Sequence, residues 1–207
     1  MRSRFESLLL RFSQLADPAQ RAELERRIWD EFGCERAVLV LDMSGFSSLC
    51  LRHGVIHYLS MVRRMQITAE PIVRTHEGVI LKFEADNAFA MFPTVDAALE
   101  ASFELNAVFD QANRETPDEL DIRIACGIDY GPILVVQQED FFGDAVNRAS
   151  KLGEDIAAPG EVLVTAQAAA RLATPQRWSL EPCEFRISGI TLAAARARPA
   201  DDGLDGA

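Results

Sequence analysis

One apolar run, Ala-Val-Leu-Val-Leu at residues 37–41, and the periodic segments that follow it restrict this chain to one sheet topology. Unbroken by polar residues, the run reads as a central strand covered on at least one face. The spacing predicts a helix over about 54–75, ending near His76-Glu77-Gly78. Two short strands follow at 79–83 and 87–92, around the turn Glu84-Ala85-Asp86. Val95, Ala98, Leu99, Phe103 and Phe109 then mark an amphipathic helix from 95 to about 112, and 120–128 reads as a strand. This β-α-β-β-α-β order is an α+β, ferredoxin-like core. If its first and third strands lie side by side and antiparallel, Asp42 ends one where Asp86 begins the other.

Before this core, Phe5, Leu8, Leu9, Phe12 and Leu15 are at helical spacing over 3–15. Asp17-Pro18 starts a second helix that stops at Gly33, with Asp as N-cap and Pro in the first turn. Residues 1–34 are thus a helical extension, either packed on the domain or regulatory or dimerising. After the core come a helix N-capped by Asp144, a strand at 161–164, an Ala-rich helix at 165–172, and a hairpin of 183–187 with 190–197 about Ser188-Gly189. These αβ additions complete a domain of 35–198, and the tail 199–207 has no core-forming pattern and reads as disordered.

The formal net charge of −11 over 207 residues argues against a nucleic-acid groove or an anionic membrane surface as partner. The four cysteines, Cys34, Cys50, Cys126 and Cys183, contain no Cys-x-x-Cys pair and read as reduced thiols rather than zinc ligands. The N-terminus does not read as a signal peptide, and no apolar stretch approaches the roughly 18 residues of a membrane span. A cytoplasmic location is expected.

Two aspartates at strand ends, each beside a polar turn, are suited to hard cations. Mg²⁺ commonly takes one or two protein carboxylates and fills its remaining positions with water and phosphate oxygens. Either aspartate alone reads as an ordinary strand-end acid. His53, His57 and His76 form no visible cluster with carboxylates and read as structural or exposed.

Four motifs in register change the weight of that pair. Val-Leu-Asp42-Met-Ser-Gly45-Phe46-Ser resembles the first metal motif of class III nucleotidyl cyclases, the adenylate and guanylate cyclase catalytic domain. Gly78-Val-Ile-Leu-Lys82-Phe-Glu-Ala-Asp86-Asn-Ala-Phe-Ala-Met-Phe92 resembles the second. Asp140-Phe-Phe-Gly143-Asp144-Ala-Val-Asn147-Arg-Ala-Ser150-Lys151 resembles the third, and Ala158-Pro-Gly160-Glu161-Val-Leu-Val the stretch after it. The resemblance covers about residues 36–195. It implies two Mg²⁺ or Mn²⁺ ions on Asp42, Asp86 and the Met43 carbonyl. Lys82 and Asp140 would read the purine edge, with Gly45 and Phe46 also on the substrate. Lys donating to N1 and Asp accepting from the exocyclic amine suits adenine, hence ATP. Asn147 would orient the ribose. Because metals and base contacts come from different subunits in this family, a homodimer is implied, with ATP converted to 3′,5′-cyclic AMP and pyrophosphate.

Three departures qualify the resemblance. Lys151 stands where the family usually has the arginine that stabilises the α-phosphate in the transition state, and it lacks the planar fork. Ser188 stands where a triphosphate-contacting lysine is common, and Arg186, on the same strand face, is expected to substitute or else to be solvated. Ala85 precedes Asp86 where the family commonly has Gly, so the turn is expected to avoid positive φ, and Glu84 either faces the metals or faces solvent. The alternatives are a cyclase using GTP or a pyrimidine triphosphate, and a catalytically weak nucleotide-binding regulator. A diguanylate-cyclase reading lacks its Gly-Gly-Asp-Glu-Phe-type motif.

Overall fold

The computed structural model describes residues 3–137, 140–187 and 190–200. Two helices, α1 (Arg4–Gln14) and α2 (Pro18–Phe32), precede strand β1 (Gly33–Met43). Then come α3 (Phe46–His53), α4 (Val55–Thr75), β2 (Val79–Glu84), β3 (Asn87–Phe92), α5 (Val95–Asn113) and β4 (Ile124–Val136). The chain continues through β5 (Asp140–Phe142), α6 (Asp144–Ser150), β6 (Val162–Thr165), α7 (Ala166–Ala169), β7 (Trp178–Ile187) and β8 (Ile190–Pro199). One mixed sheet runs β2-β3-β1-β4-β6-β8-β7, with β5 paired to β4. Its β2-β3-β1-β4 half is the expected ferredoxin-like core, antiparallel throughout, and the β4–β6 pair is parallel.

β1 is central because both of its faces are buried. Leu39 and Leu41 join Met61 and Met65 of α4 and Leu99 and Leu105 of α5 on one side. Val38 and Val40 join Phe89, Ile133 and Ala145 and Ala149 of α6 on the other. Each such large side chain contributes roughly 1.5–3 kcal/mol relative to exposure. A third cluster ties the N-terminal helices to the sheet: Phe5, Leu8, Leu24 and Ile28, with Leu134 and Val136 of β4 against them. The start of α1 is a capping box of Ser3 and Glu6, and Asp17 caps α2 as expected.

Several boundaries differ from the sequence reading. The helix over 54–75 is preceded by a separate α3, because Gly54 at φ 84 breaks the path between them. The last core strand covers Ile124–Val136 instead of 120–128. The Asn113 side chain takes both backbone groups of Ile122, at 2.9 Å each, so the ladder starts later. Pro132 is tolerated within β4 because it falls in the gap between the pairing with β6, which ends at Ile128, and the pairing with β5, which begins at Leu134. The N-cap of α6 is Gly143, with Asp144 inside the first turn. Gly143 has φ 152, and a Cβ there would lie 2.8 Å from the Pro132 carbonyl oxygen. The final hairpin is longer than expected, and most of the tail, 201–207, lies outside the described residues. Among the described residues no helix is long and apolar enough to cross a membrane.

Candidate active site

The two aspartates share one end of the sheet. In the β1–β3 register Asp42 faces Asn87, the residue after Asp86. The Met43 amide donates to the Asp86 carbonyl at 3.2 Å, closing the β2–β3 turn onto the end of β1. That turn does require positive φ, contrary to expectation: Ala85 sits at φ 52. A non-glycine residue held there stores strain of roughly 1 kcal/mol or more.

Asp86 is buried at 8% exposure and Asp42 is half-buried. Burial first, then the charges of Asp86, Glu154 and Asp155, push Asp42 up to about 6. Burial also raises Asp86. Asn87 keeps a buried side-chain oxygen with no hydrogen-bond partner among the described residues. No group of three or more His, Cys, Asp or Glu side chains is gathered as a metal site among those residues. A two-carboxylate set, mutually repelling and offering hard oxygens, nevertheless fits the small protein share that Mg²⁺ uses.

Beside this pair, β2 carries Lys82. The β2–β3 register slips between Ile80 and Lys82, and the extra residue, Leu81, is buried in the core. Lys82 Nζ lies 3.1 Å from Asp140 Oδ1 and 3.3 Å from Glu84 Oε2, and 5.1 Å over the Phe89 ring. Burial opposes the charge on Lys82, but the hydrogen bonds to Asp140 and Glu84 raise its pKa overall. Asp140 Oδ1 also accepts the Phe141 amide at 2.9 Å. The two residues expected to read a base edge are thus brought together within one chain.

The third motif lies on α6 and the π-helical segment Lys151–Ile156 that continues it. This segment lies directly on the sheet: a Cβ on Gly153 would be 2.6 Å from the Val40 carbonyl oxygen, and one on Gly127 2.3 Å from the Gly153 nitrogen. Asn147 is exposed. Next to it, Arg148 Nε donates to Asp129 Oδ2 at 2.5 Å. Asp129 is fully buried and also accepts from the Thr165 hydroxyl. Lys151 Nζ is 2.5 Å from Asp155 Oδ2, which raises the lysine pKa.

Over residues 34–189 the sequence matches the family described as Adenylate and Guanylate cyclase catalytic domain. The chain belongs to that family. The match begins where α2 ends, so α1 and α2 precede it. A Rhizobium meliloti (strain 1021) protein named "Putative adenylate cyclase 3" is 31% identical over 129 residues. That alignment covers 62% of this chain but only 22% of the relative. Among solved structures, the Adenylate/Guanylate Cyclase/Hydrolase from Silicibacter pomeroyi has TM-score 0.66 and 27% identity, covering 81% of this chain and 98% of that one. The adenylyl cyclase CyaB from P. aeruginosa has TM-score 0.68 and 16% identity, covering 83% and 98%. The guanylate cyclase domain of RhGC from Catenaria anguillulae, solved with GTP, has TM-score 0.67 and 13% identity, covering 80% and 96%. Adenylate and guanylate cyclases alike share this fold, so the fold does not choose the base.

The remaining expected residues of this cyclase-family domain are more dispersed. Gly45 turns the chain from β1 into α3 at φ 87, and Phe46 opens that helix. Arg186 is exposed on β7, opposite Thr191 of β8, with no ion-pair partner among the described residues. Ser188 lies outside the described residues. By the strand order, β7 is five strands from β3, about 24 Å across a flat sheet. Two cavities lie away from these groups. One of about 370 Å³ is lined by Arg11, Leu15, Gln20 and Arg27 among others, and one of about 290 Å³ lies beside Ala158-Pro159-Gly160. Sequence reasoning missed the Arg148–Asp129–Thr165 cluster and the pairing of Glu84 with Lys82. The i,i+2 spacing of Lys82 and Glu84 on one strand was the available signal for the second.

Proposed function

We propose that this chain is an adenylate cyclase, converting ATP to 3′,5′-cyclic AMP and pyrophosphate. The observation that carries the reading is the 3.1 Å Lys82–Asp140 pair, presented by the same chain that carries Asp42 and Asp86. It sets one donor and one acceptor side by side, the complement of the adenine N1 and exocyclic amine.

In this reading the ribose 3′ hydroxyl gives up its proton to solvent, its oxygen bonds to the α-phosphorus, and the phosphoanhydride bond between the α- and β-phosphates breaks, releasing pyrophosphate. Asp42 and Asp86, with the Met43 carbonyl, would hold two Mg²⁺ or Mn²⁺ ions. Bound there, such ions lower the pKa of an attacking hydroxyl and offset charge on the leaving oxygens. The chain's own residues supply position: Lys82 and Asp140 fix the base, Gly45 and Phe46 border the substrate, and Asn147 orients the ribose. Lys151 faces the α-phosphate once released from Asp155. Arg186 reaches the triphosphate from the opposite sheet edge, which favours a site shared between two copies in a homodimer. The helices α1 and α2 would serve as the regulatory or dimerising extension of the catalytic domain 35–198.

A second reading, nucleotide binding with little turnover, is favoured by Lys151, which is held by Asp155 and lacks the arginine fork. Incubating purified protein with each of the four nucleoside triphosphates and Mg²⁺ or Mn²⁺, then identifying products by mass spectrometry, separates the two. Cyclic AMP from ATP, absent in Asp42→Ala, supports the cyclase. Binding without pyrophosphate release supports the second reading.

A further inference from the structure

Lys82 has two carboxylate partners, and only one of them was expected at a base-reading site. We infer that Glu84 is a positioning residue for Lys82, holding its ammonium in place when the base engages Asp140. The inference rests on the nucleotide reading above.

Lys82 and Glu84 are two apart on β2 and so project to the same side of the strand. Glu84 Oε2 is 3.3 Å from Nζ, and Asp140 Oδ1 is 3.1 Å away. An ammonium has three N–H donors, so one remains for an acceptor on a base. Asp140 Oδ1 is already committed to the Phe141 amide and to Lys82. Its Oδ2 carries no hydrogen bond among the described residues and is open to an exocyclic amine. When Asp140 turns toward that amine, its hold on Lys82 weakens. Glu84 then keeps the four-carbon side chain from swinging into solvent, so less side-chain entropy is lost on binding. At 68% exposure, Glu84 is not itself a packing element, and its loss leaves the sheet intact. Its ion-pair partner in the structure is Lys82.

The test compares wild type, Glu84→Gln and Glu84→Asp in ATP binding by calorimetry and in steady-state kinetics. Glu84→Gln is expected to weaken ATP binding and raise KM about threefold to fivefold, as for an exposed ion pair, with kcat within about twofold. Glu84→Asp recovers part of the loss. Inhibition by inorganic triphosphate, which has no base, stays unchanged, as does the half-saturating Mn²⁺ concentration. Unchanged ATP binding in Glu84→Gln overturns the role of Glu84 alone, provided wild type binds. An equal loss for inorganic triphosphate, or a shifted Mn²⁺ requirement, overturns it in favour of a phosphate or metal role. Failure of wild type to bind any nucleoside triphosphate overturns the nucleotide reading and this inference with it.

Discussion

Asp42 titrates near 6 because it is half-buried and Asp86 lies at the same end of the sheet. Its folded-state pKa is above the ordinary value of 3.8, so its contribution to stability is full below that value and is lost as pH rises through 6. Glu154 and Asp86 are raised too, burial being the main cause, and act in the same direction. Without metal, Asp42→Asn is therefore expected to be more stable than wild type at pH 7.5, by about 1 kcal/mol after solvent screening. The advantage should fall to roughly half by pH 5 and vanish only below the ordinary value of 3.8. Mn²⁺ should raise the melting temperature of wild type more than that of the variant. Thermal melts in chelator at the two pH values check this, and a less stable variant at pH 7.5 would contradict it.

Base choice is expected to follow Lys82 and Asp140. Replacing them together, Lys82→Glu with Asp140→Cys, reverses the donor and acceptor offered to the base. The ratio of kcat/KM for ATP over GTP should fall by about 100-fold, since hydrogen-bonding groups covered by the bound base discriminate strongly when left unmatched. An unchanged ratio would place the base elsewhere.

The fully buried Asp129 is compensated by Arg148 and Thr165. Burial raises the Asp129 pKa, with Thr165 and Arg148 opposing. Removing one partner leaves a buried charge, so Arg148→Ala is expected to cost about 3 kcal/mol in urea unfolding. The neutral pair Asp129→Asn with Arg148→Gln should recover a large part of it. Additive losses would show that the two do not act as a pair.

Ala85 at φ 52 makes a different prediction. Glycine relieves the left-handed strain of roughly 1–2 kcal/mol but costs about 0.4–1 kcal/mol in unfolded-chain entropy. Ala85→Gly should therefore stabilise the protein by about 0.5 kcal/mol, read as a shift in urea midpoint at constant slope. A destabilised variant would show that the Ala methyl is itself packed to advantage.

The adjacency of Asp42 and Asp86 was legible because it depends only on element order and strand direction, both carried by hydrophobic period. Lys82 and Asp140 were legible only through motif resemblance, since no periodicity brings β2 to β5. What stayed hidden depends on three-dimensional compensation. Pro132 reads as a strand breaker until the gap in the ladder beside it is seen. Arg148 reads as one more helix charge until Asp129 is found beneath it. The π-helical turn at Lys151 leaves no compositional mark. Likewise, Phe5 stacks on Phe142 at 6.0 Å, tying α1 to the strand of Asp140, a pairing 137 residues apart that no local pattern signals.

A shared site makes one requirement above all others: Asp42 of one copy must work with Asn147 of another. Asp42→Ala and Asn147→Ala proteins, each inactive alone, should regain ATP cyclisation when mixed under conditions of subunit exchange. Random pairing leaves one intact site in half of the dimers, so recovery should approach about a quarter of wild-type activity. No recovery, with exchange demonstrated independently, would contradict the shared site.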